Sequence, residues 1–137
     1  MANYCGKTRT NYFEVNDKKA FKEFVESLLS DGGKVEYMEN KDGLTGFCCD
    51  GVIYGRKSDK TGLEKYADMK KKMVEKIQGF LRPGYACIIT ELGWEAFRCL
   101  EAVSVVITKK GVKMLNLNEL SLATARALLQ NQDQDPA

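Results

Sequence analysis

Hydrophobic positions along this chain recur with two periods, and their alternation divides the chain into short strands and amphipathic helices. Thr8 to Val15 (TRTNYFEV) is β-branched and aromatic, with Tyr12 out of phase with Phe13 and Val15, which predicts a strand. Asn16 or Asp17 then offers a side-chain oxygen to the first amides of a helix. Ala20, Phe21, Phe24, Val25, Leu28 and Leu29 share one face of that helix, and Lys18, Lys19, Lys22, Glu23 and Glu26 take the other. Asp31-Gly32-Gly33 supplies its stop, because glycine accepts the left-handed position after a helix without penalty.

A meander follows. Lys34 to Glu39 alternates, Asn40-Lys41-Asp42-Gly43 is turn chemistry, and Leu44 to Cys49 reads as the next strand. Asp50-Gly51 fits a two-residue hairpin leading into Val52-Ile53-Tyr54. Gly55 to Thr61 is polar and predicts a mobile loop. From Gly62 a second helix places Leu63, Tyr66, Ala67, Met73, Val74, Ile77, Phe80 and Leu81 inward, and Pro83-Gly84 closes it.

The last third repeats the theme. Tyr85 to Glu91 predicts a buried strand, and Gly93-Trp94-Glu95 an irregular connection. Ala102 to Thr108 pairs with Val112 to Leu117 across Lys109-Lys110-Gly111, where Gly111 suits a left-handed turn position. Asn118 is the expected cap of a final helix, Glu119 to Gln130, with Leu122, Ala125, Leu128 and Leu129 inward. The element order is β-α-β-β-β-α-β-β-β-α. It predicts an α+β two-layer sandwich with a mostly antiparallel sheet and a ferredoxin-like flavour.

Composition narrows the class. With 137 residues and 44% hydrophobic content the chain supports one core, so residues 1–130 form a single domain and 131–137 a frayed polar tail. A net charge of +2 is too small to mark a dedicated nucleic-acid binder. The N-terminus lacks an apolar signal region, and the longest apolar-rich stretch, Val103 to Thr108, is too short to span a bilayer. The expected setting is cytoplasmic, away from membranes, with the five cysteines reduced and with Cys48, Cys87 and Cys99 filling the core.

Candidate chemistry is sparse. There is no histidine, which removes the usual neutral-pH proton carrier along with Ser-His-Asp and Cys-His arrangements. No glycine-rich phosphate cradle fits the glycines between Gly43 and Gly55. The carboxylate pairs Glu36/Glu39 and Asp59/Glu64 are only local, so neither a metal site nor any other cofactor is expected, and the chain reads as no enzyme. What remains is surface. Lys70-Lys71-Lys72, with Lys60, Lys65 and Lys76, form a basic helix face, either solvated and offset by Glu64, Asp68 and Glu75 or a landing strip for phosphates or an acidic protein. Trp94, expected in a loop beside Phe97 and Arg98, either caps the core or anchors an interface.

Three stretches together, TRTNYFEVND, GFCCDGVIYG and ITELGWEAFRCLEAVSVVITKKG, resemble small uncharacterised accessory proteins of bacterial plasmids, integrative elements and phages. Those proteins carry an aromatic and basic pair where this chain has Phe97, Arg98 and Cys99. Where they often have an acidic loop before the second helix, this chain has Arg56, Lys57 and Lys60. The resemblance implies a setting, the accessory genes of mobile elements, and no established activity. The expected role is therefore a non-enzymatic binding protein inhibiting a host defence complex, such as a CRISPR effector, by occlusion. Its partner would be a host protein or ribonucleoprotein, with Lys70, Lys71, Lys72, Trp94 and Arg98 as contacts. The alternative is a small nucleic-acid-binding protein that uses the lysine-rich helix with stacking aromatics. An unpaired strand edge leaves room for a homodimer.

Overall fold

The computed structural model describes residues 4–57, 66–95 and 99–134. The elements are β1 (Tyr4–Thr10), α1 (Lys18–Glu26), β2 (Leu28–Ser30), β3 (Glu36–Glu39), β4 (Thr45–Cys49), β5 (Ile53–Arg56), α2 (Tyr66–Phe80), β6 (Cys87–Glu95), β7 (Cys99–Thr108), β8 (Gly111–Asn116) and α3 (Leu117–Gln134). Six strands form one fully antiparallel sheet in the order β3-β4-β1-β6-β7-β8, and β2 pairs with β5 in a separate ribbon. The α+β class holds. The strand order departs from chain order, with β1 inserted between β4 and β6 at the centre of the sheet.

The core lies between the inner face of the large sheet and a covering layer of α1, the β2–β5 ribbon and α2. Phe21 is its hub, fully buried with Phe13, Phe24, Tyr37, Phe47 and Phe80 around it at ring-centroid distances of 5.3 to 6.4 Å. Edge-on and tilted packing suits the ring quadrupoles as well as the area they bury. Met73, Ile77 and Leu81 on the α2 side join Ile53, Ile89 and Ile107 in one buried cluster, and Met69 is buried beside Gly55. Three buried threonines satisfy their hydroxyls locally: Thr8 donates to the Gly51 carbonyl at 2.7 Å, Thr10 to that of Asn11 at 2.8 Å, and Thr45 to that of Phe13 at 3.2 Å.

Several expected elements are redrawn. The first strand starts earlier and ends at Thr10, and Phe13 and Val15 make isolated bridges to Thr45 and Leu81. Asp17 does cap α1, its carboxylate accepting the Ala20 amide at 3.0 Å. The helix nevertheless stops at Glu26, because Ser27 turns its hydroxyl back onto the Phe24 carbonyl at 2.6 Å. Leu28 and Leu29, expected on the helix face, are strand residues paired with Arg56 and Gly55. Asp50-Gly51 is therefore no hairpin between neighbours, since β4 and β5 belong to different sheets. Gly55 has φ +147°, and a Cβ there would meet Met69 at 3.0 Å, so glycine lets α2 lie directly on β5. The expected mobile loop, Gly55 to Thr61, begins as strand, and its residues from Ser58 onward lie outside the described residues, as does Leu63.

The C-terminal third differs most. Gly93, Trp94 and Glu95 are not a connection: they continue β6, paired with Gly6, Cys5 and Tyr4 on one side and Glu101, Leu100 and Cys99 on the other. The turn into β8 is Lys109-Lys110, and Gly111 is the first residue of the strand, opposite Thr108. The Thr108 hydroxyl accepts the Lys110 and Gly111 amides at 3.2 and 3.1 Å, doing the work assigned to a left-handed glycine. The cap of α3 is Asn116, whose side-chain oxygen accepts the Glu119 amide at 3.2 Å. Asn118 instead donates its side-chain amide to the Leu100 carbonyl at 3.1 Å. Leu122, Ala125, Leu128 and Leu129, expected inward, are all exposed, and α3 runs on to Gln134 through much of the expected tail.

Candidate interaction surface

An antiparallel sheet covered on one face shows alternation, apolar inward and polar outward. β6 and β7 break that rule. Inward, β6 presents Cys87 and Ile89, both buried, and β7 presents Val105 and Ile107. Outward, β6 presents Ile88, Thr90, Leu92 and Trp94, and β7 presents Leu100, Ala102, Ser104 and Val106. Registration sets these side chains in rows. Trp94 lies opposite Leu100, Leu92 lies between Lys7 and Ala102, and Thr90 lies between Arg9 and Ser104. Only one outward row on these strands is polar, its Thr90 and Ser104 hydroxyls 3.2 Å apart.

The outcome is an uncovered apolar strip with a cationic margin. Leu100 is 74% exposed, Leu92 48% and Trp94 37%. Arg9 and Lys7 stand beside the strip on β1, and Lys7 reaches Asp50 at 2.9 Å. That carboxylate, by hydrogen bond and then by charge, holds Lys7 above its ordinary value of 10.5. A shallow depression of about 470 Å³ runs along the strip beside Arg9, Ile88, Thr90 and Leu92. Trp94 thus stands at the surface on a strand paired on both sides. Arg98 and Phe97 lie outside the described residues.

The lysine run is divided by helical geometry, because successive residues project about 100° apart. Lys70 turns toward the sheet and pairs with Glu91 of β6 at 2.8 Å, with side-chain exposures of 29% and 15%. Lys71 is exposed and borders a groove of about 490 Å³ between α2 and β8, floored by Val74, Val105, Val112 and Met114. Lys72 is exposed on a third direction and is engaged in interactions of its own. The three lysines therefore do not line up as one ridge. Lys60 and Lys65 lie outside the described residues.

The thiols divide by depth. Cys87 is fully buried and Cys49 nearly so, and burial pushes both thiols up; hydrogen bonds from Ser30 and Thr8 oppose the rise at Cys49. Cys48, expected in the core, is half-buried on the outer face opposite Arg9. Among the described residues no three cysteine, aspartate or glutamate side chains come together to hold a metal ion. No described helix is long and apolar enough to cross a membrane.

Sequence reasoning found Trp94 but missed Leu92, Leu100, Val112 and Met114. A partial signal was present: in Ala102 to Thr108 one phase is wholly apolar (Val103, Val105, Ile107), and the other still carries Ala102 and Val106 beside Ser104 and Thr108. No protein-family profile, curated protein or solved structure matches the chain.

Proposed function

We propose that this chain is a non-enzymatic binding protein that works by covering part of a partner macromolecule, with the outward face of β6 and β7 as its contact surface. The observation carrying this reading is the Trp94–Leu100–Leu92 strip, an aromatic and aliphatic centre held on paired strands and flanked by Arg9 and Lys7. Such a centre with a polar margin is the composition of binding hot spots, and its strands need no ordering on contact. The resemblance to accessory proteins of mobile elements supplies the setting. In that setting the partner is a component of a host defence complex, and occlusion is the mechanism.

Affinity capture from host lysate tests this. The wild-type chain should retain one protein or ribonucleoprotein, and Leu92→Asp with Leu100→Asp should lose it while the far-UV spectrum is unchanged. Capture that survives those changes moves the surface elsewhere, and no captured partner at all counts against the reading. Direct nucleic-acid binding through the lysine helix is the less favoured alternative. Lys70 is committed to Glu91, and the lysines diverge rather than track a backbone. A mobility shift at low salt that is abolished by Lys71→Glu would favour it.

A further inference from the structure

A second unpartnered surface lies at the β8 end of the molecule. Strands are about 4.8 Å apart and a helix is about 10 Å across, so each helix covers roughly two strands. The covering layer ends at α2, over β6 and β7. Beyond it none of the described residues covers the inward side of β8: Val112 is 48% exposed and Met114 64%, although both face the core side opposite Ile107 and Val105. They form the floor of the groove beside α2. The layer lacks one helix there.

The chain owns a helix without a seat. Every residue of α3 from Leu117 to Asn131 is exposed, and its leucines are 48% to 62% accessible. Leu122, Ala125 and Leu129 make one row at i, i+3 and i+7, and Leu117, Leu120 and Leu128 make another. A helix apolar on more than one side belongs in an interior. Its own groove is out of reach. A strand-to-helix return needs a loop of roughly 2–6 residues, whereas here β8 ends at Asn116 and α3 begins at Leu117. Asn116 caps the helix at that junction, and Asn118 fastens the first turn to Leu100, at the end of β8 away from its hairpin.

From this geometry we infer that α3 is exchanged between two copies of the chain, each helix lying in the α2–β8 groove of the other. A missing return loop is a structural cause of such exchange. One two-fold operation fills both grooves. In that arrangement Glu119 and Arg126, seven residues apart on one side of α3, would meet a groove wall bearing Lys70, Lys71 and Glu75. Each helix of 18 residues is roughly 27 Å long. The α2 wall of each groove, from Lys70 to Gln78, is roughly 12 Å long, which matches the stretch of α3 from Leu122 to Leu129.

Light scattering coupled to size-exclusion chromatography on the full chain tests the inference. The wild-type protein should elute at twice its chain mass of 15.4 kDa. Leu122→Glu with Leu129→Glu should halve that mass, as should Met114→Glu in the groove, with the far-UV spectrum near that of the wild type. Inserting about six Gly/Ser residues between Asn116 and Leu117 restores a return loop, and should give a monomer whose α3 amides stay protected from hydrogen exchange. A wild-type mass of one chain at every concentration overturns the inference. So does a dimer that survives the leucine changes or the inserted loop. These readouts need no other partner, so they stand apart from the capture experiment on the outer face.

Discussion

Lys70 of α2 and Glu91 of β6 meet at 2.8 Å across the junction of the helical layer and the sheet. Both side chains are largely withdrawn from water, so neither is readily rehydrated when the other is lost. Glu91→Ala should cost about 1–2 kcal/mol in urea unfolding. Lys70→Met with Glu91→Leu should recover most of that loss, and the double-mutant cycle should give a coupling of about 1 kcal/mol.

The aromatic hub makes a larger prediction. Phe21 has no exposed surface and touches five other rings, so Phe21→Ala leaves a cavity that the sheet and the α2 side cannot both close. The expected loss is about 3–5 kcal/mol. Asp17→Ala removes only a cap and should cost about 1 kcal/mol. A denaturation series on the two variants checks the ordering.

How much of this was legible in the sequence depends on the length scale of the forces. Phe21, Phe24 and Val25 declare the α1 face by spacing alone, and the Asp17 cap is local chemistry, so both were readable. The end of α1 was not. Leu28 and Leu29 continue the helical period, and what makes them strand is pairing with β5, far away in sequence. Gly93-Trp94-Glu95 reads as an irregular connection in the sequence, yet Gly93 lies within β6 opposite Gly6. The same limit applies to α3: its leucine rows were visible, but whether a surface waits beneath them depends on sheet width and on a loop of no length. The candidate strip arises from β6–β7 register, and no single segment announces it.

Cysteine accessibility gives a chemical check. Cys48 on the outer face should be alkylated readily in the folded protein, whereas Cys49 and Cys87 should react only on unfolding. Mass mapping after a brief iodoacetamide pulse separates them. Fast labelling of Cys87 would contradict the core as described.

Alkaline pH is the direction of weakness. Burial holds the Cys87 and Cys49 thiols above their ordinary value of 9.0, and burial followed by the nearby Glu39 charge holds Tyr37 above 10.0. The folded state keeps protons that the unfolded chain releases. Stability is therefore full below the unfolded values and falls as pH rises past about 9 toward the folded ones. With no histidine, it should be nearly flat between about pH 6 and 8. Thermal midpoints across pH should show this shape, and Cys87→Ala should flatten the alkaline limb.

The central claim is that the outward face of β6 and β7 is where a partner sits, and Trp94 is the only tryptophan in the chain. Protein labelled with 5-fluorotryptophan therefore gives one ¹⁹F resonance that reports on that face. Titration with the captured partner should move the resonance and saturate at one partner per chain. A resonance that stays in place while binding saturates by another method would contradict the account.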